Sequence, residues 1–328
     1  MRARLVARNR LLWSNHETLR FMFLETRPSW RGSKEDKQAV RNAFRQWKSI
    51  GLGLEFTEVD TAADRPQIRI GFSHRKNAGS WSYVGRDCVD QVRDMAERTM
   101  NFGWSLTDAY GYDTALHEIG HALGFSHEHQ NPNAGIVWDE EAVYKYFSDP
   151  EGDNWDQQMI IDNVLSKFDR SEIAGTNWDP NSIMHYAFGA GLIREPKQYR
   201  TGLWPAGGLS PWDIERARKF YPDGKFQTHS LVPFQSVPLT VTPDHQVDFQ
   251  FVPQETRTYT IQTIGNLDTF FSVFEVALGQ ETFLDAADNS GEDINAAVRM
   301  PMVSGRTYIV RLRMHYAEAE GQSALVVI

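Results

Sequence analysis

The stretch HEIGHALGFSH, residues 117–127, sets His117, His121 and His127 at intervals of four and six, with Glu118 beside the first histidine and Gly124 between the second and third. Histidines four apart on a helix project from one face, one turn apart, at the separation two imidazoles need to bind one ion. Gly124 falls where a helix would end on a left-handed residue, a conformation glycine adopts at least cost, so the chain can turn back and bring His127 to the same ion. Three neutral nitrogen donors with a fourth position open describe a catalytic zinc centre, whereas a structural site closes with a fourth protein ligand, often cysteine. The chain has a single cysteine, Cys88, which excludes a closed thiolate site and any internal disulfide. A bare HExxH would also suit two polar histidines on a helix surface. The longer pattern fixes five positions, each with a geometric reason, and points to metal chemistry.

Such residues need elements to position them. Residues 18–25, TLRFMFLE, alternate Leu19, Phe21 and Phe23 with more polar neighbours and read as a strand. Ser33 and Asp36 then stand at capping-box spacing, and Val40, Phe44 and Trp47 form one stripe up to Gly51, which predicts an amphipathic helix. LEFTEV, QIRIGF and TMNFGW read as further strands, so a twisted sheet backed by a helix is expected ahead of the histidine-rich helix. Near residue 210, Ser210 is placed as an N-cap with Pro211 at the first helical position and Asp213 at the third. Ile214, Ala217 and Tyr221 follow along one face until Pro222. Beyond that helix QVDFQFV, RTYTIQTI, TFFSVFEVAL, RTYIVRLRM and QSALVVI alternate at period two between turn clusters, the pattern of an all-β sandwich. The expected organisation is an α+β catalytic domain over residues 1–225 and a β-sandwich domain over residues 226–328. No internal repeat is visible.

Composition narrows the function classes. A formal net charge of -9 argues against a nucleic-acid binder, which needs a clustered basic face. No run of about 18 apolar residues offers a membrane span. The basic N-terminus lacks an apolar h-region and a small-residue cleavage site, so no secretory signal is visible in it.

HEIGHALGFSHE resembles the zinc signature of the metzincin endopeptidases, and Glu128 directly after the third histidine resembles the astacin family's form of it. SIMHY at 182–186 is similar to that family's Met-turn. SWSYVG at 80–85, LLWSN at 11–15 and LSPWDIERARKFYP resemble further astacin segments, so the likeness runs over roughly residues 8–222. It implies a metzincin (zincin-like) fold with a twisted sheet and an active-site helix, and a zinc-dependent endopeptidase acting on extended protein or peptide substrates. One catalytic Zn2+ would be held by His117, His121 and His127, with Tyr186 as a further ligand in the resting enzyme. Glu118 would be the general base, and Tyr186 would also stabilise the oxyanion; the other reading of Tyr186 is a tyrosine buried under the site. Met184 would form an apolar floor beneath the imidazoles, while His129 and His185 have no place in the ligand set. Arg194, Lys197 and Arg200 follow the Met-turn in a region that contributes to the S1′ pocket of metzincins, where they would favour an acidic residue after the cut; a solvated basic loop fits them as well. Substrate would add a strand to an edge formed by QIRIGF or GSWSYVG.

The last hundred residues resemble the bacterial prepeptidase C-terminal type of β-sandwich, through YTIQTIGNLDTFFSVFE, DNSGEDINA and GRTYIVRL. That likeness implies binding of polymeric substrate or a part in secretion. Asp288, Asn289, Asp293 and Asn295 offer oxygen ligands to a possible Ca2+, but the same residue types are what a tight turn requires, and the turn is the favoured reading. Two departures from the astacin pattern stand out: the absence of the disulfide cysteines, one of which would fall near Ser80, and no visible counterpart of an activation propeptide. A monomer with a secreted or extracellular location is the expectation; a cytoplasmic location stays open, because no signal peptide is visible and the missing cysteines keep an oxidising habitat from being carried over. Two rival readings are a different metzincin branch, in which Tyr186 leaves the site, and a catalytically silent binding or toxin-like protein on a metalloprotease fold. The intact Glu118 speaks against the second.

Overall fold

The alternating and amphipathic stretches fold much as their patterns require in a computed structural model, which describes residues 7–8, 11–76, 78–152, 154–169, 173–174, 177–224, 228–239, 246–288, 290–291, 294–314 and 321–328. The chain falls into two compact units, one made chiefly of Leu11–Arg170 and Gly175–Asp223, the other chiefly of Gly224–Ile328. The domain boundary expected at 225/226 falls on residues outside the described ones. No helix among the described residues is long and apolar enough to cross a membrane.

The first unit opens on a sheet with strands in the order Glu55–Glu58, Thr18–Phe23, Ile68–Gly71, Met100–Asn101, Trp81–Ser82. The first four run parallel and the last is antiparallel to its neighbour. Ile68–Gly71 is buried throughout because it lies inside the sheet. QIRIGF therefore cannot offer an edge, and Trp81–Ser82 is the free edge on that side. Helix Lys34–Ser49 is capped by Ser33, whose side chain accepts from the Asp36 amide at 2.9 Å, and it buries Val40, Phe44 and Trp47. Phe44 stacks on Phe21 of the sheet at 4.3 Å. Met22, on the other face of the same strand, is buried with Leu24 and Trp30, so this strand is covered on both sides and departs from simple alternation.

Helix Ala109–Ala122 carries the first two histidines of the motif, and its end is fixed by long-range hydrogen bonds. Its last carbonyls have no partner within the helix and are buried, so each requires a donor from elsewhere. Gly85 N donates to His121 O at 2.8 Å, Trp13 Nε1 to Ala122 O at 2.7 Å, and the Tyr221 hydroxyl to Leu123 O at 2.6 Å. Trp47 Nε1 reaches Leu116 O one and a half turns earlier. The LLWSN segment and the closing helix thereby act on the same turn. That closing helix, Pro211–Phe220, has the expected capping box between Ser210 and Asp213. A separate cluster of Ile136, Trp138, Val143, Phe147, Ile160, Val164, Phe188 and Leu192 forms the core behind the third histidine.

The second unit is a sandwich of a five-stranded and a four-stranded sheet among the described residues. Their inner faces supply a core that includes Phe249, Phe251, Ile261, Phe271, Val273, Val310, Leu312 and Leu325. Four of its strands, Thr228–Ser230, Val237–Pro238, Gln280–Asp288 and Ala297–Met302, have no counterpart among the sequence-predicted strands. All four are edge strands with mixed burial, the setting in which alternation is weakest. Asn289 and Asp293, two of the four proposed calcium ligands, lie outside the described residues. Asn295 donates from its amide to Gly265 O at 3.2 Å, as a turn residue would.

Candidate metal centre

Asp108 caps helix Ala109–Ala122 by accepting from the Gly111 amide, and the helix places the His117 and His121 rings 4.6 Å apart. The helix ends at Leu123, and Gly124 follows with φ of +96°, a left-handed geometry that a side chain would strain. Phe125 N then donates back to Gly120 O, and the reversed chain delivers His127. One ligand nitrogen from each of His117, His121 and His127 lies within 4.8 Å of the others, and among the described residues this is the one grouping able to hold a metal ion.

Each ring has its proton placed by its outer partner. His117 Nδ1–H donates to Ile183 O at 2.7 Å and His121 Nδ1–H to Phe125 O at 2.8 Å. A carbonyl only accepts, so the proton sits on Nδ1 and Nε2 carries a bare lone pair. His127 Nδ1–H likewise donates to Gln130 Oε1 at 3.3 Å. His121 Nε2 and His127 Nε2 then face each other at 3.1 Å with no proton between them. That is close to the separation of about 3.3 Å for two nitrogens bound tetrahedrally about 2.0–2.1 Å from one zinc ion. Two lone pairs at this distance repel unless a cation lies between them, so the donor set fits zinc. Burial pushes the His117 pKa down to about 4 and holds His121 and His127 well below the ordinary imidazole value, so all three are in the neutral, ligating form at pH 7.

Glu118 is buried beside the triad and its Oε2 has no hydrogen-bond partner among the described residues. Burial alone pushes its carboxyl up to about 8, and a divalent cation at the triad would draw it back towards the ionised form that can accept a proton. The Met-turn is braced from the closing helix. Asp213 Oδ1 accepts from the Ser182 hydroxyl at 2.6 Å, and its Oδ2 accepts from the Ile183 and Ser210 amides at 2.8 and 2.9 Å. Because Ile183 O also accepts from His117 Nδ1–H, the capping residue of one helix steadies a candidate ligand on another. Met184 is fully buried against Gly120, on the helix between His117 and His121. The Tyr186 ring lies 4.3 Å from His127 and 5.7 Å from His117, centroid to centroid.

The three cations after the Met-turn are exposed. Arg194 pairs with Asp139 at 3.1 Å, Arg200 pairs with Glu195 at 2.9 Å, and Lys197 forms no ion pair among the described residues. His129 and His185 are buried, with His129 Nε2–H donating to Asn163 O and His185 Nδ1–H to Tyr186 O. Cys88 is buried and its thiol pKa is raised by that burial, so it is an inert core residue. Sequence reasoning missed Asp213 as the brace of the Met-turn, Gln130 as the partner of His127, and Gly120 as the space for Met184. Only Gly120 carried a local signal, as the small residue between the two helical histidines.

Comparison with known proteins agrees with this geometry. A family model described as Astacin, a peptidase family, matches residues 6–194, more than half of the chain. Bone morphogenetic protein 1 of Xenopus laevis is 29% identical over 201 residues, covering 58% of this chain and 25% of that protein. Zinc metalloproteinase nas-39 of Caenorhabditis elegans is 28% identical over 200 residues, covering 58% of this chain and 19% of the relative. The chain thus spans a quarter or less of these relatives' length. Among solved structures, that of myroilysin superposes with a TM-score of 0.58 at 26% identity, covering 67% of this chain and all of the other.

Proposed function

The chain belongs to the astacin family of peptidases, and from that premise we propose that it is a zinc-dependent endopeptidase that cuts internal peptide bonds of extended substrates. The observation that carries this reading is the convergence of three imidazoles, each with Nδ1 committed to an oxygen acceptor, beside a buried carboxyl oxygen of Glu118 that has no partner among the described residues. When bound, zinc lowers the pKa of a water towards 7 and polarises the scissile carbonyl.

Glu118 takes the proton of the attacking water through Oε2 and passes it to the leaving amine. Its burial keeps bulk water from competing for that proton. The Tyr186 hydroxyl, on a ring set against His127 and His117, would join the three histidines in holding the metal in the resting protein and would donate to the oxyanion of the substrate during turnover. Met184 fills the space beneath the imidazoles without bonding to the metal. Substrate main chain pairs with the free edge at Trp81–Ser82, which grips a peptide without regard to its sequence and suits internal cleavage. Of the three cations after the Met-turn, Lys197 is the one with charge available for an acidic residue beyond the cut. The sandwich is proposed to hold polymeric substrate, and the site of action to lie outside the cytoplasm.

The test is hydrolysis of an internally quenched peptide by the wild type and by Glu118→Gln, with zinc measured in both. The expected result is equal zinc content and a fall in kcat of at least about 10²–10⁴ in the variant. Equal cleavage by both proteins would defeat the mechanism. Stoichiometric zinc with no cleavage by either would favour the silent binding protein.

A further inference from the structure

The three ligands are not held alike. His117 and His121 donate to backbone carbonyls, whereas His127, on the irregular segment after the helix, donates to a side-chain amide, Gln130 Oε1. That amide is itself fixed. Gln130 Nε2 donates to Asp162 O at 2.7 Å and to Ser166 O at 3.1 Å, which uses both of its hydrogens. Only one orientation of the amide satisfies all three partners, so it is the oxygen that faces His127. Gln130 is 4% exposed, and water cannot take over these bonds.

The acceptors come from one place. Ile161–Leu165 is a single π-helical turn at the end of helix Gln157–Ile160. Its wider register and its terminus leave carbonyls without intrahelical donors. Asp162 O receives Gln130, and Asn163 O receives His129 Nε2–H at 2.8 Å. The fully buried His129 ring then lies nearly flat against His127, 5.1 Å away at 23°, and 4.9 Å from Tyr186 at 31°.

We propose that Gln130 and His129 are positioning residues through which the π-helical turn Ile161–Leu165 sets the orientation and proton position of His127. The inference rests on the reading of His117, His121 and His127 as zinc ligands and adds the means by which the third is held. Gln130 fixes the proton on Nδ1, leaving Nε2 bare, and His129 fixes the plane of the ring. Without the Gln130 oxygen the buried Nδ1–H loses its acceptor, the other tautomer becomes competitive, and the lone pair no longer points at the metal for much of the time.

The experiment measures zinc affinity by chelator competition in the full chain for the wild type, Gln130→Met and Gln130→Glu. Methionine keeps the length and bulk of glutamine without an acceptor, whereas glutamate keeps an oxygen towards Nδ1. The expected result is zinc binding weaker by about 10–100-fold in Gln130→Met, with glutamate recovering most of the loss. The metal-free protein should melt lower in both variants, since each deprives Asp162 O and Ser166 O of the Gln130 amide donors, so the comparison that decides is between the two variants' zinc affinities. Equal weakening by both variants would reduce Gln130 to a space-filling residue and overturn the proposal, as would wild-type affinity in Gln130→Met. If Gln130→Met does not fold, the absorption spectrum of cobalt-substituted His129→Phe decides. Altered ligand-field bands support the proposal, and a spectrum identical to that of the wild type overturns it. A wild type that binds no zinc sinks the metal centre itself; a wild type that binds zinc beside a Gln130→Met variant that binds it as tightly sinks this inference alone.

Discussion

Gly120→Ala tests whether the metal helix and the Met-turn are fitted to each other at atomic contact. An ideal Cβ at residue 120 would sit 2.3 Å from Met184 Sδ, 3.4 Å from Met184 Cε and 3.5 Å from Trp47 Cζ2. Unstrained contacts of this kind need about 3.5–4 Å, so the sulfur must retreat by more than about 1 Å. Met184 and Trp47 are both fully buried, so a retreat of the sulfur displaces packed neighbours. Overfilling such a core costs about 1–3 kcal/mol, while alanine in a helix interior gains about 1 kcal/mol over glycine. The net is a loss of up to about 2 kcal/mol, which for a unit of this size lowers Tm by up to about 8 °C. Calorimetry of a double-mutant cycle with Met184→Ala separates the two effects. In the Met184→Ala background the clash disappears, and Gly120→Ala should stabilise by about 1 kcal/mol. If Gly120→Ala stabilises the wild type as much as it stabilises Met184→Ala, the claimed fit between helix and turn is wrong.

Two further outcomes follow from the same geometry. Burial raises the Asp213 carboxyl to about 6 from an unfolded value of 3.8, so the native state holds its proton more tightly than the unfolded chain. That contribution is fully present below about pH 4 and is lost as pH rises through 6, at most about 3 kcal/mol at 1.36 kcal/mol per pKa unit. Denaturation midpoints between pH 4 and 7 should show this slope in the wild type and not in Asp213→Asn; an unchanged slope in the variant rules Asp213 out as its source. Tyr186→Phe should lower kcat by about 10²–10³ with little change in KM, as expected for a donor engaged at the oxyanion. Wild-type kcat in that variant would remove Tyr186 from the chemistry.

What could be read from sequence alone depended on how local the physics was. The two capped helices, Lys34–Ser49 and Pro211–Phe220, were legible because cap, stripe and terminator lie within twenty residues. The converging histidines were legible because one helical turn and one glycine suffice to bring them together. Sheet order was not, since no residue in QIRIGF announces that Met100–Asn101 will cover its outer side. Asp213 was readable as a cap but not as the brace of Ser182 and Ile183, about thirty residues upstream. Gln130 looked like an ordinary polar residue, because its role depends on carbonyls of Asp162 and Ser166 that only the folded chain places.

The hydrogen bonds that finish the metal helix come from both ends of the first unit, Trp13 from before it and Tyr221 from almost a hundred residues after it. Trp13 N also donates to the Tyr221 hydroxyl, a link across 208 positions. During synthesis the histidines leave the ribosome long before Tyr221, and at about 5–20 residues per second the gap lasts several seconds or more. A chain stopped short of Tyr221 retains His117, His121 and His127 but lacks a buried donor for Leu123 O. The hydrogen bonding at the end of this helix is therefore finished only once the whole first unit has been synthesised.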